Sequence, residues 1–577
     1  MAEPTEPAEP AAVAAVAAVA KPRVIAMTDG EVDDKSSMIR FLMYSSDFDV
    51  AGIVQTNSRY QVDGHSDEKW VEAQIDQYAK VLPNLRVHKS GYPDAEDLRD
   101  VLRVGNENSD DLWVAPPDMA TKDTPGEKLI ISTLLDDDPR PVHVQAWGGV
   151  NTLASALWRL KTYHSAADFT RATAKLRAYA IWYQDGGGGW IEDNIRQAHI
   201  YEANQWHRIW DYQSLTGPNP DTVKDYMTEA WLNSNVKDDH GPLGAMYPQS
   251  YVSEGDSPSF LHQVDNGLYS HEDYTLGGWG GRGTQDDPVG KPNHLTDTDL
   301  KDDDDANKMF WRWIPAAQND FAARMDWSVA STYKAANHQP NAAVVGSLRQ
   351  VVAPGQAVKL DATPSTDPDG NTLSFRWWQY HDADSATARV TVNNATSRDN
   401  ANFVVPDEPG RQIHMIVEVR DNGAPSLTSY QRIVFTIQGE PERLVSKHSG
   451  KVLDVQNPNT SDGAKVGQWT WNGKAWQQWE VRDSGGGYVN LVSRHSGKCL
   501  DVLGASQANG ADIVQWACNG ATNQQWQVIP VDGGVQLRAR HSGKCADVYE
   551  WSTADGATIK QWTCHGGNNQ RWQRESV

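Results

Sequence analysis

The chain has 577 residues, 52 Lys and Arg against 76 Asp and Glu, and a formal charge of −24. That length is too great for one core and predicts two to four domains. The acidic balance argues against binding a phosphate backbone, and no apolar run approaches the roughly 20 residues that span a bilayer, so neither nucleic acid nor membrane is expected as a partner. Carboxylates remain to spare for a hard cation. The 24 Trp offer flat platforms for sugar rings, although most are expected in cores.

Residues 1–22 carry an acidic, Pro-rich stretch (Glu3–Pro10) and an Ala/Val run (Ala11–Ala20) with no basic segment before it. They read as a flexible leader or the remnant of an export sequence, outside the fold.

Residues 23–335 alternate apolar strands with helical stretches. Val24–Met27, Val50–Thr56, Val142–Trp147 and Leu176–Trp182 read as buried strands, each followed by a polar or Gly-rich turn. That order predicts an α/β domain with a mostly parallel sheet. Behind the first strand stands Asp29-Gly30-Glu31-Val32-Asp33-Asp34, then Met38, Phe41 and Leu42 at helical spacing. Carboxylates crowded where a parallel strand meets its ligand crevice repel one another unless a cation or a helix N-terminus offsets them. A capped helix with a solvated acidic turn fits this segment equally well. More polar groups fall at strand ends: Asn57, Ala146–Leu153, Gln184-Asp185 before a four-glycine loop and Trp190–Asn194, and Glu254-Gly255-Asp256-Ser257-Pro258. Together they predict one site at one sheet edge. A helix is expected over 306–325, with Asp302–Asp305 as its solvated start rather than a metal site.

Residues 340–438 alternate apolar and polar positions in short runs between turn signals, which predicts a β-sandwich of Ig or PKD type. Its Asp367–Asn371 segment is expected to be an Asx-type turn rather than a calcium site.

Residues 442–577 repeat themselves three times. His-Ser-Gly-Lys recurs at His448, His495 and His541, 47 and 46 residues apart, and Gln477-x-Trp479, Gln524-x-Trp526 and Gln570-x-Trp572 close the units. This resembles the ricin-type β-trefoil, whose signature is the Q-x-W repeat. Cys499 and Cys518, like Cys545 and Cys564, lie 19 apart, and the first repeat has Val452 and Trp471 at those places. One disulfide in each of repeats two and three is expected, and with it an oxidising compartment and secretion. The resemblance implies a sugar pocket of Asp, aromatic ring and amide in each repeat. Repeat one offers Asp454, Trp469 and Asn472; repeat two Asp501, Trp516, Asn519, Asn523 and Gln524; repeat three Asp547, Trp562, His565, Asn569 and Gln570. Trp476 replaces the later Asn of repeat one, which counts against that pocket. The Q-x-W tryptophans are expected in the core, and the His-Ser-Gly-Lys segments as turns.

The first unit resembles the nucleoside hydrolase fold, which carries D-x-x-x-D-D on its first strand-to-helix turn and binds calcium there. The resemblance implies Asp29, Asp34, Asp256 and the main-chain carbonyl of Asn151 as calcium ligands, with Asp33 and Asn57 facing the sugar. Gly30-Glu31 replaces the usual Pro-Gly, and Gly255 stands where many relatives have a His that helps the base leave. A closer resemblance is to cellulose-binding proteins with a nucleoside-hydrolase-like domain. Gly91-Tyr92-Pro93, Ala146-Trp147-Gly148-Gly149, Glu254–Leu261, Gly277–Arg282 and Gln318–Phe321 carry it, from residue 23 to 438. It implies a secreted glycoside hydrolase on a polysaccharide or glycan side chain, furanosidic linkages included. Calcium would assist water attack and inversion, Asp29 would accept the proton, and Glu192, Glu254 or Asp185 would donate one to the leaving group. Gln184, Trp190 and Asn194 are expected to contact substrate. A non-catalytic carbohydrate-binding protein and a secreted nucleosidase are the competing readings.

Overall fold

The computed structural model describes residues 20–577 apart from 212, 286, 288, 289 and 292. The leader expected over 1–22 lies, as far as residue 19, outside the described residues.

The first unit is built on seven parallel strands: β1 (Arg23–Thr28), β2 (Asp49–Gln55), β3 (Leu102–Val104), β4 (Val142–Ala146), β5 (Leu176–Ile181), β6 (His199–Ala203) and β7 (His294–Thr296). They lie in the order β3-β2-β1-β4-β5-β6-β7. Every residue of β1 is buried, as expected of a central parallel strand covered on both faces. Its side chains alternate with the pleat. Val24 and Ala26 enter one core with Phe41, Phe260 and Trp279, while Ile25 and Met27 enter a second with Val144, Leu153 and Leu157.

Two expectations fail near the end of this unit. The helix over 306–325 is two helices, Lys308–Trp311 and Ile314–Val329. Pro315 has no N–H and its ring crowds the carbonyl four residues back, so one helix cannot run through. Asp302–Asp305 is a solvated start only in part: Asp303 and Asp304 are exposed and Asp305 accepts from the Asn307 N–H (2.8 Å), but Asp302 is not solvated. Asp302 is fully buried, paired with Arg282 (2.7 Å) and Arg312 (3.4 Å), and accepts from Tyr380 of the sandwich (2.7 Å). Asp303 pairs with Arg389 (2.7 Å), also of the sandwich. Asp302 and Asp303 thus tie the first unit to the sandwich.

The sandwich sets a sheet of β10 (Ser374–Gln379), β12 (Gln412–Arg420), β13 (Thr428–Ile437) and β8 (Arg349–Val352) against the pair β11 (Ala401–Val404) and β9 (Ala357–Leu360). Trp377 fills the space between them, whereas Trp378 meets Trp313 of the first unit at a tilt and Tyr380 meets it edge-on. Asp367 forms the expected Asx turn, accepting from the N–H of Asp369 (2.9 Å) and Asn371 (2.8 Å).

The third unit has four strands per repeat. They are β14 (Pro441–Ser446), β15 (Val452–Val455), β16 (Ala464–Trp469) and β17 (Trp479–Gly485); β18 (Tyr488–Ser493), β19 (Cys499–Val502), β20 (Ile513–Trp516) and β21 (Trp526–Val531); and β22 (Gly534–Ala539), β23 (Cys545–Val548), β24 (Ile559–Trp562) and β25 (Trp572–Ser576). The outer strands of the repeats pair into a closed six-stranded ring, and the inner two of each make a hairpin. Trp479, Trp526 and Trp572 meet in the core, each donating to a hairpin carbonyl at 3.0, 2.9 and 3.3 Å. The three histidines lock neighbouring repeats together through the carbonyls of Trp551, Pro458 and Ser506. Disulfides join Cys499 to Cys518 and Cys545 to Cys564, as expected.

The trefoil is docked on the rest of the molecule. Asp483 exchanges hydrogen bonds with Gly410 (2.7 Å) and Gln412 (2.6 Å) of the sandwich. Arg540 lies 3.7 Å from Asp273 of the first unit. Burial and then neighbouring charges, Arg540 among them, push the ionisation of Arg177 and His199 down, at the starts of β5 and β6.

Candidate active site

The strand order reverses between β1 and β4, and crevices in such sheets open at the carboxyl ends beside the reversal. The turn after β1 supplies the acids. Thr28 Oγ1 and the Asp29 N–H (3.1 Å) both donate to Asp34 Oδ1, and the Glu31 N–H donates to Asp29 Oδ1 (3.2 Å), so the turn winds around Asp34. Gly30 adopts φ +84° with no room for a Cβ, which would lie 2.9 Å from both His65 and Trp70. The helix Val32–Tyr44 then begins with Asp33 and Asp34 in its first turn. Asp256, ahead of the helix Ser257–Leu261, completes the group.

Ligand oxygens of Asp29, Glu31 and Asp34, and of Asp33, Asp34 and Asp256, lie within 4.8 Å of one another. Asp29 Oδ2, Asp33 Oδ1 and Asp256 Oδ2 are buried without a hydrogen-bond partner. Burial first, and then neighbouring carboxylates (Asp211 foremost for Asp33, Asp29 for Asp34 and Asp34 for Asp256), push Asp33, Asp34 and Asp256 well above the usual carboxylate range. An all-oxygen, multiply acidic donor set of this kind fits a hard cation such as calcium.

A second group lies beside the first. Asn57 donates to the Val62 carbonyl (2.9 Å), and Gln184 to the carbonyls of Trp147 (2.8 Å) and Ile181 (3.0 Å); both leave a buried side-chain oxygen unpaired. Asp185 accepts from the N–H of Asn151 and of Gly187, each at 2.8 Å, and burial pushes its carboxyl up to about 7. The Gly148-Gly149 pair fits between the groups. A Cβ on Gly148 would lie 2.5 Å from Asp29 Oδ2, and one on Gly149 2.3 Å from Asp185 Oδ2. Asn151 directs its N–H to Asp185 and its side-chain amide to the Asp111 and Leu112 carbonyls (both 3.2 Å).

Four expected residues lie elsewhere. Glu254 is fully buried in an ion pair with Arg40 and accepts from Tyr247 (3.0 Å) and Ser257 (2.8 Å); it holds the fold. Glu192 is paired with Lys291 and His294 (2.8 Å). Trp190 packs half-buried on the second core, and Asn194 is exposed, donating to the carbonyl of Trp190 (2.9 Å). Burial alone would raise the Glu192 carboxyl, but hydrogen bonds from His294, Lys291 and Tyr183 hold it at about 2, so it is ionised at neutral pH. A depressed carboxyl stabilises the fold above its unfolded value near 4.5 and loses that contribution as pH falls toward about 2. Glu192→Gln is therefore expected to lower the urea midpoint at pH 7 and to narrow its deficit steadily below pH 4.5. A deficit that stays constant with pH excludes this pairing as the cause.

The sequence reading missed Trp206 and Trp182, at the ends of β6 and β5, although strand ends were its own signal. Their rings lie 5.0 Å apart, and Trp182 has φ +57°. A Cβ on Gly255 would lie 2.3 Å from Trp206 and 2.5 Å from Asp33 Oδ2. Trp206 thus fills the room a side chain at Gly255 would need. Glu31, read only as a departure, borders the acids, and burial followed by Asp29 pushes it up to about 7.

In the trefoil, Asp501 accepts from Asn523 (3.0 Å) and Gln524 (2.9 Å), and Asp547 from Asn569 and Gln570 (both 2.9 Å). Gln524 and Gln570 are fully buried and orient the carboxylate from behind, so they are not surface contacts as expected. Asn472 and Asn519 are exposed and brace their own turns through Lys474 (3.0 Å) and Ala521 (2.9 Å). Asp454 meets Gln477 (2.9 Å), and Trp476 packs on the core. Trp469 and Trp516 are exposed, Trp562 half so.

An α/β domain with an acidic crevice at its switch point, an Ig-like sandwich and a Q-x-W trefoil together define a carbohydrate-associated, nucleoside-hydrolase-like protein. Residues 23–282 match the family described as cellulose-binding Sde182, nucleoside hydrolase-like domain, and 357–437 match the cellulose-binding protein Sde0182 C-terminal domain. The chain belongs to this family. Residues 431–516, 475–562 and 522–577 match the ricin-type β-trefoil lectin domain-like family. Among solved structures, a nucleoside hydrolase-related hypothetical protein from Saccharophagus degradans, associated with carbohydrate metabolism, is 31% identical. That match covers 73% of this chain and 100% of that one, with a TM-score of 0.62. The designed three-fold symmetric protein ThreeFoil is 48% identical over 24% of this chain and 99% of its own, TM-score 0.24. The exo-β-1,3-galactanase 1,3Gal43A from Clostridium thermocellum is 31% identical over 30% of this chain and 44% of its own, TM-score 0.24. No curated protein matches the sequence.

Proposed function

We propose that the protein is a secreted, calcium-dependent glycoside hydrolase that acts on a polysaccharide or its side chains while its trefoil holds the glycan. The observation that carries this reading is the trio of buried, unpaired carboxylate oxygens on Asp29, Asp33 and Asp256 beside Asp34. Buried carboxylates persist only when protonated or set against a cation. Asp29, Asp34 and Asp256 would hold the ion, which when bound supplies a Lewis acid that acidifies water. Asp29 Oδ2 accepts the proton, and Asp33 Oδ1, Asn57 Oδ1 and Gln184 Oε1 accept hydrogen bonds from sugar hydroxyls. Trp182 and Trp206 give the ring an apolar wall. Asp185, the one expected acid whose carboxyl is raised toward neutrality, protonates the leaving oxygen. Direct attack of water at the anomeric carbon inverts its configuration. The two disulfides fit an oxidising, extracellular setting.

The engagement of Glu192 and Glu254, and the Trp206 ring against Gly255, favour a second reading in which the crevice binds sugar without cleaving it. Product release from a panel of plant and microbial polysaccharides, furanosidic ones first, separates the two. Each is run with calcium and with a chelator, on wild type and Asp29→Ala. Release that a chelator stops and the variant lacks supports the hydrolase. Binding without release across the panel selects the second reading.

A further inference from the structure

The three sugar-site hairpins differ in one concerted way. Four residues after the pocket carboxylate, repeat one has Pro458, repeat two Ala505 and repeat three Trp551; eighteen after it stand Asn472, Asn519 and His565; twenty after it, Lys474, Ala521 and Gly567. In repeat three these substitutions touch one another. The Trp551 and His565 rings lie 6.1 Å apart at 20°, near parallel. A Cβ on Gly567 would lie 2.7 Å from Trp551 and 2.8 Å from His565, so the pair requires glycine there. His565 Nδ1 accepts from the Gly567 N–H (3.2 Å), which leaves Nε2 as the donor, 3.3 Å from Asp547 Oδ2. His448 meets the Trp551 ring edge-on at 5.2 Å and donates to its carbonyl (2.6 Å).

Trp551 is thus held rigidly, yet half of it is exposed, and it belongs to no core cluster. Packing does not account for a large aromatic residue here, because Ala505 takes the same left-handed backbone, φ +48° against +55°. Asn569 Oδ1, deep in the same pocket, is buried and unpaired.

Resting on the reading of the trefoil as a sugar binder, we propose that repeat three is an extended subsite for a neutral oligosaccharide. One sugar ring lies on Trp562, its hydroxyls on Asp547 and Asn569, and the adjoining ring lies on Trp551. Repeat two, with Ala505, holds a single sugar. Affinity at repeat three therefore rises with ligand length.

The test is calorimetric titration of the full chain with cellohexaose, xylohexaose, β-1,3-galactohexaose and the matching monosaccharides. Trp551→Ala is expected to weaken the best-bound hexasaccharide by roughly tenfold, the scale of one lost aromatic contact, and to leave its monosaccharide unchanged. Trp551→Tyr should retain most of the affinity, while Asp547→Ala weakens both ligands. A hexasaccharide bound equally by wild type and Trp551→Ala, or an equal loss on both lengths, overturns the extended subsite alone. If no sugar binds wild type, and Asp501→Ala and Asp547→Ala change nothing, the trefoil reading fails and this inference with it.

Discussion

Asp34→Asn is expected to abolish calcium binding and, with it, hydrolysis. Asp34 is the residue shared by both carboxylate groups of the crevice, and two unit charges no more than 4.8 Å apart repel by at least about 3.5 kcal/mol at an effective dielectric of 20. Either protons or a cation must relieve that repulsion. The sign of the stability change follows. In chelator, the variant lacks an acid whose ionisation the crevice opposes, keeps an oxygen to accept from Thr28 and Asp29, and should be at least as stable as wild type. With calcium at a hundredfold excess over Kd, wild type should gain about 2.7 kcal/mol and the variant nothing. Thermal unfolding with calcium and with chelator reads both. A variant that still gains stability from calcium rules out Asp34 as a ligand.

The second large effect concerns Glu254. It and Arg40 are fully buried, and the guanidinium also lies 3.9 Å from the centre of the Phe321 ring and donates to the Ala317 carbonyl (3.3 Å). Glu254→Ala leaves that cation uncompensated, a loss of about 3–5 kcal/mol, whereas Arg40→Met combined with Glu254→Leu should recover much of it. Denaturant midpoints measure this. Calcium affinity of the folded Glu254→Gln protein should remain near that of wild type. A Glu254→Gln protein as stable as wild type but catalytically dead would return Glu254 to the role of proton donor.

These two residues show what the sequence makes legible. Asp34 follows an apolar run at a fixed offset from Asp29, so its place in an acidic cluster is written locally, as are the strands β1, β2, β4 and β5 and the Q-x-W repeat. Glu254 lies beside the equally acidic Asp256, and nothing local distinguishes an ion-paired carboxylate from an unpaired one. Its partner is 214 residues away. Asp302 was misread for the same reason, since Tyr380 reaches it from the next domain. Trp206 and Trp551 were missed because their meaning lies in what stands opposite, Gly255 and Gly567, where a missing side chain makes the room.

The docking of the trefoil sets a geometry of its own. Arg540 of the trefoil meets Asp273 of the first unit and acts electrostatically on Arg177 and His199 at the starts of β5 and β6, whereas the acidic crevice opens where the strands end. The six residues of β5 between those edges measure about 20 Å. On the proposed reading, the crevice and the trefoil act as two jaws on one frame, not as an anchor on a slack tether. On that reading, a short oligosaccharide is expected to occupy one jaw at a time and to saturate each independently. Only a chain long enough to bridge them would be gripped at both, so the length of the polymer is expected to decide whether the two jaws cooperate.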